Sequence, residues 1–492
     1  MISKKALFST FVFLSISIVI LFLISIPNRE TGMDESLFAE QVFMFGKDGV
    51  WLKTYLFNGM GLDFETRQYH YHKFFILLGV LFVQIFGYSI YTFKAIPLLF
   101  LIGFTFLAKA YLKKFGKETT TNLNIIWLIW MVILLFQHEV FMFSFYYRPE
   151  IILMTIGFSS FYFLEKWVSS QDLKYLIFSA IFAGLSAFTH LNGLIFIFAG
   201  FILLLNKKKY KEILYFMPIS GLTAAFYLFD IWHPADFLAF LDQFRNDYVL
   251  EKEDFSIFTP FIKIFREHKR FFHDYEEAFY SSLLILCLIF NFKYLKENHS
   301  NLLVYYLALV IGLAGLSHGT TSKYALLHLP FASFIIAVSL YRILALEKWQ
   351  QVVLIIAFWG AIFSHLYNDL GHTFNKRDIT AINEHISSYL PKEEQRVLAD
   401  DIFVFNQIKN HHINGLHGFM WYYKFKVRKE PTPEDFFNFA EKHNNQYIVL
   451  YPESFNDELM GMMQKKDIVE NKNYFGYGLL EKNEEFVILK KL

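Results

Sequence analysis

The sequence predicts a mainly α, polytopic transmembrane helical bundle with a C-terminal extracytoplasmic α/β domain, and three observations carry the prediction. The 492 residues are 55% hydrophobic and 20% aromatic with a mean hydropathy of +0.33, too apolar for an ordinary soluble chain and far too long for one span. Apolar runs of membrane-crossing length recur as far as residue 367 and then stop. From Asn368 onward charge density rises, and short strand-like segments alternate with amphipathic helical ones.

The first run follows Lys4 and Lys5, as a signal peptide would. Its apolar stretch of about 20 residues is long enough to span, and no small-residue cleavage site is convincing, so it reads as a retained first helix. Spans are expected near residues 7–26, 90–111, 123–140, 150–167, 174–189, 191–205, 212–230, 278–294, 301–317, 325–341 and 350–367, about eleven in all. Lys4 and Lys5, then Lys109, Lys113, Lys114 and Lys117, then Lys207, Lys208, Lys209 and Lys211, then Lys293 and Lys296 fall on one alternating set of termini, which the positive-inside rule assigns to the cytoplasm. The opposite set carries nearly every unusual polar residue. The apolar run Phe74 to Phe86 is too short to cross and is expected to lie in the interface, making residues 27–89 a membrane-hugging first outer loop. An odd span count from a cytoplasmic N-terminus places the tail outside. The domain reading is therefore 1–367 membrane domain and 368–492 extracytoplasmic domain, with strands expected at Arg396–Ala399, Tyr447–Leu450 and Phe486–Leu489 and helices at 377–389, 433–443 and 454–465.

A net charge of +1 gives no field to attract nucleic acid, and no basic strip interleaved with aromatics is present. The single cysteine, Cys287, sits in an apolar run, which excludes disulfide frameworks and thiolate metal clusters. There is no GxxxxGK[ST], HExxH, GxSxG or CxxC, so the usual nucleotide, zincin, hydrolase and thiol-redox signatures are missing. The 61 phenylalanines and 29 tyrosines suit lipid-facing helices, interfacial belts and site walls without naming a substrate.

Carboxylates are costly in hydrocarbon, so acids gathered at the membrane edge mark chemistry on a lipid-borne substrate. Asp34 and Glu35, in TGMDESLFAEQ, stand just beyond the first span. Asp34 after Gly32 suits the N-cap of the following helix, a role compatible with that of an ionised base. His70 and His72, in QYHYHKFF, have the i, i+2 spacing that puts two imidazoles on one side of an extended segment, either as interfacial hydrogen bonders or as ligands of a divalent metal. Arg148-Pro149-Glu150 opens a span with its proline in the first turn, leaving Arg148 at the rim to meet either phospholipid phosphate or a substrate phosphate. Lys323 and Tyr324, in SHGTTSKYALLHLP, open another span with the same ambiguity. His138, Glu139, Asp230, His233, Asp236, Glu276 and Glu277 complete an outer polar population that spacing does not rank.

The order of these features resembles the GT-C superfamily of integral membrane glycosyltransferases, in the branch holding protein O-mannosyltransferases and the lipid A aminoarabinose transferase. The matching pieces, spread over most of residues 27–335, are TGMDESLFAEQ, HYHKFFILLGVLFVQIFG, YYRPEIILM, GLSAFTHLNGLIFIFAG (the family's GL(x)nTK stretch) and SKYALLHLP (its KY(x)nP stretch). The resemblance implies inverting transfer of a sugar from a polyprenyl-phosphate donor to an envelope acceptor, whether lipid, glycan or protein, at the outer face of a bacterial inner membrane. In it Asp34 takes the catalytic acid position, Glu35 orients the first loop or assists a metal, Arg148, Lys323 and the His70/His72 pair meet phosphate charge, and Glu150 binds sugar hydroxyls. The chain departs from the pattern where HYH replaces prolines and where His190 stands for a lysine, which puts a phosphate contact at His190 in question. A metal ligand near the counterpart of His70 makes a divalent cofactor an expectation to test. Two other classes fit outer polar clusters beside lipid: a transporter or flippase of lipid-linked sugars, which calls for charges deep in several spans, and a non-catalytic envelope scaffold, which would tolerate loss of Asp34.

Overall fold

The computed structural model describes residues 4–26, 32–49, 52–57, 63–69, 72–116, 119–246, 259–316, 322–374, 378–456 and 464–492. Each expected span contains a helix, but 123–140 is broken at Phe136 and Gln137, 191–205 and 325–341 open in 3-10 turns, and the helix in 212–230 stops at Ala225. In chain order the helices up to the tail are α1 (Lys4–Ser25), α2 (Met33–Asp48), α3 (Lys73–Phe86), α4 (Ile90–Phe115), α5 (Thr120–Leu135), α6 (His138–Phe143), α7 (Pro149–Ser170), α8 (Leu173–Thr189), α9 (Leu194–Asn206), α10 (Tyr210–Ala225), α11 (Pro234–Asn246), α12 (Thr259–Arg266), α13 (His268–Phe271), α14 (Tyr275–Asn298), α15 (Ser300–Leu316), α16 (Leu329–Tyr341) and α17 (Lys348–Phe374). Five of them, α1, α4, α7, α14 and α17, are long and apolar enough to cross a bilayer alone. Helices α5, α8, α15 and α16 and the Leu191–Asn206 stretch that includes α9 are apolar but shorter.

Aromatic residues knit the bundle. Trp130 meets Phe104, Phe158 and Phe334 edge-on at 4.9–6.0 Å and donates its indole N–H to the Pro330 carbonyl at 3.0 Å, which satisfies the one polar atom of an otherwise apolar side chain. Outward-facing Phe13, Phe106, Leu214, Leu222, Ile289 and Ile356 are more than half exposed. In lipid that exposure costs nothing, which is why a bundle this apolar needs no polar coat. At 14 residues α3 is about 21 Å long, short of the hydrocarbon thickness. It buries Phe75, Ile76, Gly79 and Val80 and exposes Leu81, Ile85 and Phe86, the two-faced pattern expected of the first loop's apolar run.

The tail forms a five-stranded sheet from β1 (Arg396–Ala399), β2 (His412–Gly415), β3 (Tyr447–Leu450), β4 (Tyr477–Lys482) and β5 (Val487–Lys491), in the order β2-β1-β3-β5-β4. β1 runs parallel to β2 and β3, and β5 is antiparallel to β3 and β4. β1 and β3 have the expected limits, and the third expected strand lies in β5, one residue later. β2 and β4 went unanticipated because His412, Asn414 and Gly415 break the apolar pattern of the one, and a bulge between Leu479 and Glu481 breaks the alternation of the other. Helices Ile379–Ser388 and Pro433–Lys442 occupy two expected stretches; of 454–465, residues 457–463 lie outside those described, and a helix ends at Asn456.

Alternate residues of each strand face opposite ways, and both faces are covered. Leu398, Ile448, Leu450 and Leu489 pack with Phe419, Phe436 and Phe437. Val397, Ala399, Val449 and Ile488 share a core with Ile382 and Ile386 and also with Leu37, Met44, Leu56, Phe57 and Phe64 of the first loop. The sheet is thus seated on that loop: Trp421 stacks on Phe57 at 4.9 Å and the Gly415 N–H points to the Tyr55 carbonyl at 3.5 Å. A Cβ on Gly415 would meet Leu56 backbone, its Cα at 2.8 Å, where nothing flexible can yield. Gly415→Val is therefore expected to weaken the seat by about 1–3 kcal/mol, read as a lower Tm of the detergent-solubilised chain. An unchanged Tm would mean the contact is dispensable.

Candidate active site at the first loop

The loop begins with a helix start built for display. Gly32 is the N-cap of α2; Glu35, at its third position, accepts the Gly32 N–H at 2.9 Å and, with its other oxygen, the Tyr147 N–H at 2.6 Å. Asp34 was expected to cap this helix and does not. Only a side chain three residues along can loop back to the cap's own N–H, and that residue is Glu35, whose carboxylate is fully buried. Asp34 is left one third exposed and turned to Arg148, with which it forms an ion pair.

Arg148 precedes α7 in extended backbone, with Pro149 opening the helix as expected. Its guanidinium spans two carboxylates, Asp34 on one side and the buried Glu150 on the other at 2.8 Å, with a second nitrogen 3.2–3.3 Å from both Glu150 oxygens. Such a fork is available to arginine and not to lysine. The 3-10 turn Ser322–Leu327 brings Lys323 and Tyr324 to the same place, the ammonium 5.5 Å from the Tyr324 ring. Burial and the neighbouring Arg148 charge lower the Lys323 pKa, against the pull of Glu150 and Glu139.

His190 sits at the break between α8 and the 3-10 turn Leu191–Gly193, its Nδ1 accepting the Asn192 N–H at 2.9 Å. His72, at the N-cap of α3, stacks on it at 4.3 Å and 19°, and Tyr324 meets it edge-on at 5.7 Å. The two positions where the sequence departs from the family pattern are thus neighbours in space. Burial, then the charges of Arg148 and Lys323, push the His190 pKa down to about 3, so its imidazole is neutral and gives a phosphate no charge.

Sequence reasoning missed Arg270. Buried in α13, it donates from Nε to Glu267 at 2.6 Å and lies 6.0 Å from the Tyr324 ring, so a third cation converges on that tyrosine. Its only signal was a basic pair in the stretch REHKRFFHD, indistinguishable from a solvated loop. Three of the other outer polar residues tie elements together. Asp230 holds Lys73 and Arg67, Asp236 accepts the Tyr69 hydroxyl at 3.0 Å, and together they clamp α11 to the first loop. His138 pairs with Asp369 at 2.7 Å.

His70 lies outside the described residues, so the expected His70/His72 pair is seen only at His72. Among the described residues no three His, Cys, Asp or Glu side chains are grouped to hold a metal ion, and the His72 ring packs on those of His190 and Phe38. The described residues of this site do not make a divalent-metal site.

No protein-family model and no curated protein matches the chain. Solved structures do. ArnT from Cupriavidus metallidurans in the apo state aligns over 97% of this chain and 97% of its own, with a TM-score of 0.58 and 12% identity. The chain shares this fold. The same ArnT bound to undecaprenyl phosphate aligns over 99% and 98%, TM-score 0.55, 12% identity. The apo oligosaccharyltransferase of Archaeoglobus fulgidus aligns over 89% of this chain and 69% of its own at TM-score 0.51 and 12% identity. The likeness gives the fold and leaves the chemistry of the site to this chain's own side chains.

Proposed function

We propose that the chain is a membrane glycosyltransferase that moves a sugar from a polyprenyl-phosphate carrier to an envelope acceptor hydroxyl. The observation that carries this reading is the Arg148 fork between Asp34 and Glu150, with Lys323 and Arg270 beside the same tyrosine, in a fold shared with a protein crystallised with undecaprenyl phosphate.

Asp34 takes the proton of the acceptor hydroxyl. As that oxygen bonds to the anomeric carbon from one side, the bond from the carbon to the phosphate oxygen breaks on the other, the electron pair leaves with polyprenyl phosphate, and the configuration inverts. The leaving charge is met by Arg148, Lys323 and Arg270 in a site partly shielded from water, where fixed cations act most strongly. Glu35 holds the turn that presents Asp34, and Glu150 sets the Arg148 fork and offers oxygen to sugar hydroxyls. His190 and His72 form a neutral wall with Tyr324. Residues 1–367 are the membrane domain and 368–492 an extracytoplasmic domain, placed in a bacterial inner membrane with the site facing outward.

Mass spectrometry of envelope lipids and glycans from cells making or lacking the protein tests this without a prior guess of the acceptor. Cells lacking it are expected to accumulate one polyprenyl-phosphate sugar and to lose that sugar's mass from one envelope component. Identical profiles would sink the reading and favour a scaffold.

A further inference from the structure

Helix α2 carries Asp34 at one end. Six residues on, about 9 Å along the axis and on another face, it carries Glu40, whose side chain is completely enclosed. Glu40 accepts three hydrogen bonds from one short stretch of the first loop: the Thr54 hydroxyl, the Tyr55 N–H at 2.8 Å and the Leu56 N–H at 3.3 Å. That stretch is where the sheet sits, through Gly415 against Tyr55 and Leu56 and through the His412 ring 4.1 Å from that of Tyr55. Leu37 and Met44, on either side of Glu40 in α2, belong to the sheet's own core.

We propose that Glu40 is a positioning residue for Asp34, coupling the seating of the C-terminal sheet to the placement of the helix that presents the base. This rests on the reading of Asp34 above. An apolar side chain could fill the space but would leave those three donors unmet. A carboxyl in this place collects three donors from the one segment that also contacts the sheet, so the helix, the loop and the sheet move as one body.

The surroundings make the coupling responsive to pH. Asp401, buried at the start of a 3-10 turn, faces Glu40 with like charge and has His417 at 2.8 Å; Asp400 lies beside it, and burial with the Asp401 charge pushes its pKa up to about 6. Tyr88 faces Glu40 from before α4. Lys53, 4.9 Å from the Tyr55 ring and 3.3 Å from Asp48, and His412, pushed down to about 4 by burial, lie on the loop and strand sides. Burial, partly offset by the three hydrogen bonds and reinforced by Asp401, raises the Glu40 pKa to about 8. An unseated Glu40 would titrate near the ordinary carboxylate value, so seating is strongest below that value. It weakens as pH rises towards about 8 and is flat above.

Hydrogen–deuterium exchange on the full chain in nanodiscs, read on peptides covering residues 33–40 between pH 5 and 9 and corrected for intrinsic rates, tests the coupling. Protection is expected to fall by at least about tenfold across that window in the intact chain and by a clearly smaller factor in Glu40→Gln, which keeps a neutral acceptor and leaves only the contribution of Asp400. Gly415→Val, remote from the site, should raise exchange in the same peptides. A Glu40→Gln profile with the wild-type slope, or Gly415→Val exchange confined to residues 52–57, would overturn the proposal. Binding of undecaprenyl phosphate to the same nanodiscs separates the two readings: its absence counts against the glycosyltransferase reading and leaves the exchange result standing.

Discussion

Arg148→Ala is expected to be the most damaging single substitution in this chain, because it strips the cation from two carboxylates at once. Glu150 has a side chain only 1% exposed and cannot turn to water when its partner goes. Removing one member of a buried pair costs about 3–5 kcal/mol, and the electrostatic reach of Lys323 to Glu150 argues for the lower end. The contribution of Asp34, one third exposed, is screened and adds little. Thermal unfolding of the solubilised protein should show the loss. Arg148→Lys should recover only part, since an ammonium cannot bridge both partners. The double variant Arg148→Ala/Glu150→Gln should regain stability while still failing to bind undecaprenyl phosphate, which separates the structural from the ligand-facing role. An Arg148→Ala protein of wild-type stability would show that Glu150 is not held as described.

Asp34→Asn is expected to do the opposite: to leave the fold intact and remove the reaction. The change is isosteric, the side chain is partly solvated, and the helix start is secured by Glu35 and Gly32 rather than by Asp34, so a stability change within about 1 kcal/mol is expected. Loss of a general base lowers turnover by about 10²–10⁴-fold, and the amide also weakens the hold on Arg148. The measurement is the transfer rate from a polyprenyl-phosphate sugar at matched amounts of folded protein. Rates within a few-fold of the wild type would remove Asp34 from the mechanism and leave the carboxylates of Glu150 and Glu35 to be tried in its place.

The candidate site was legible in the sequence to an uneven degree. Asp34, Arg148, Glu150, His190, Lys323 and Tyr324 were all singled out, because each sits at a helix start or a break beside an apolar run, where a charged residue stands out against a hydrophobic background. The same contrast failed for Arg270, which lies in a stretch already rich in charge, and for Glu40, which reads as an ordinary polar position on an amphipathic helix. Asp34 was expected at the cap because spacing marks the turn without fixing its first residue; with Gly32 as the N-cap, the third position that folds back is Glu35.

The sequence by itself determined the membrane character, the helical spans, the sheet-bearing tail and the position of the first loop. Those properties follow from hydropathy and periodicity, which act over a few turns of chain and depend on no distant partner. Only the tertiary structure decided that Arg148 forks between Asp34 and Glu150, that His72 lies on His190, and that the tail's sheet shares its core with Leu37 and Leu56 of the first loop. Each of these joins residues from separate elements, more than a hundred positions apart along the chain except for the Arg148–Glu150 contact itself. Such a pairing is set by which helix ends gather at one end of the bundle and how the side chains share limited space there, and no local pattern records it.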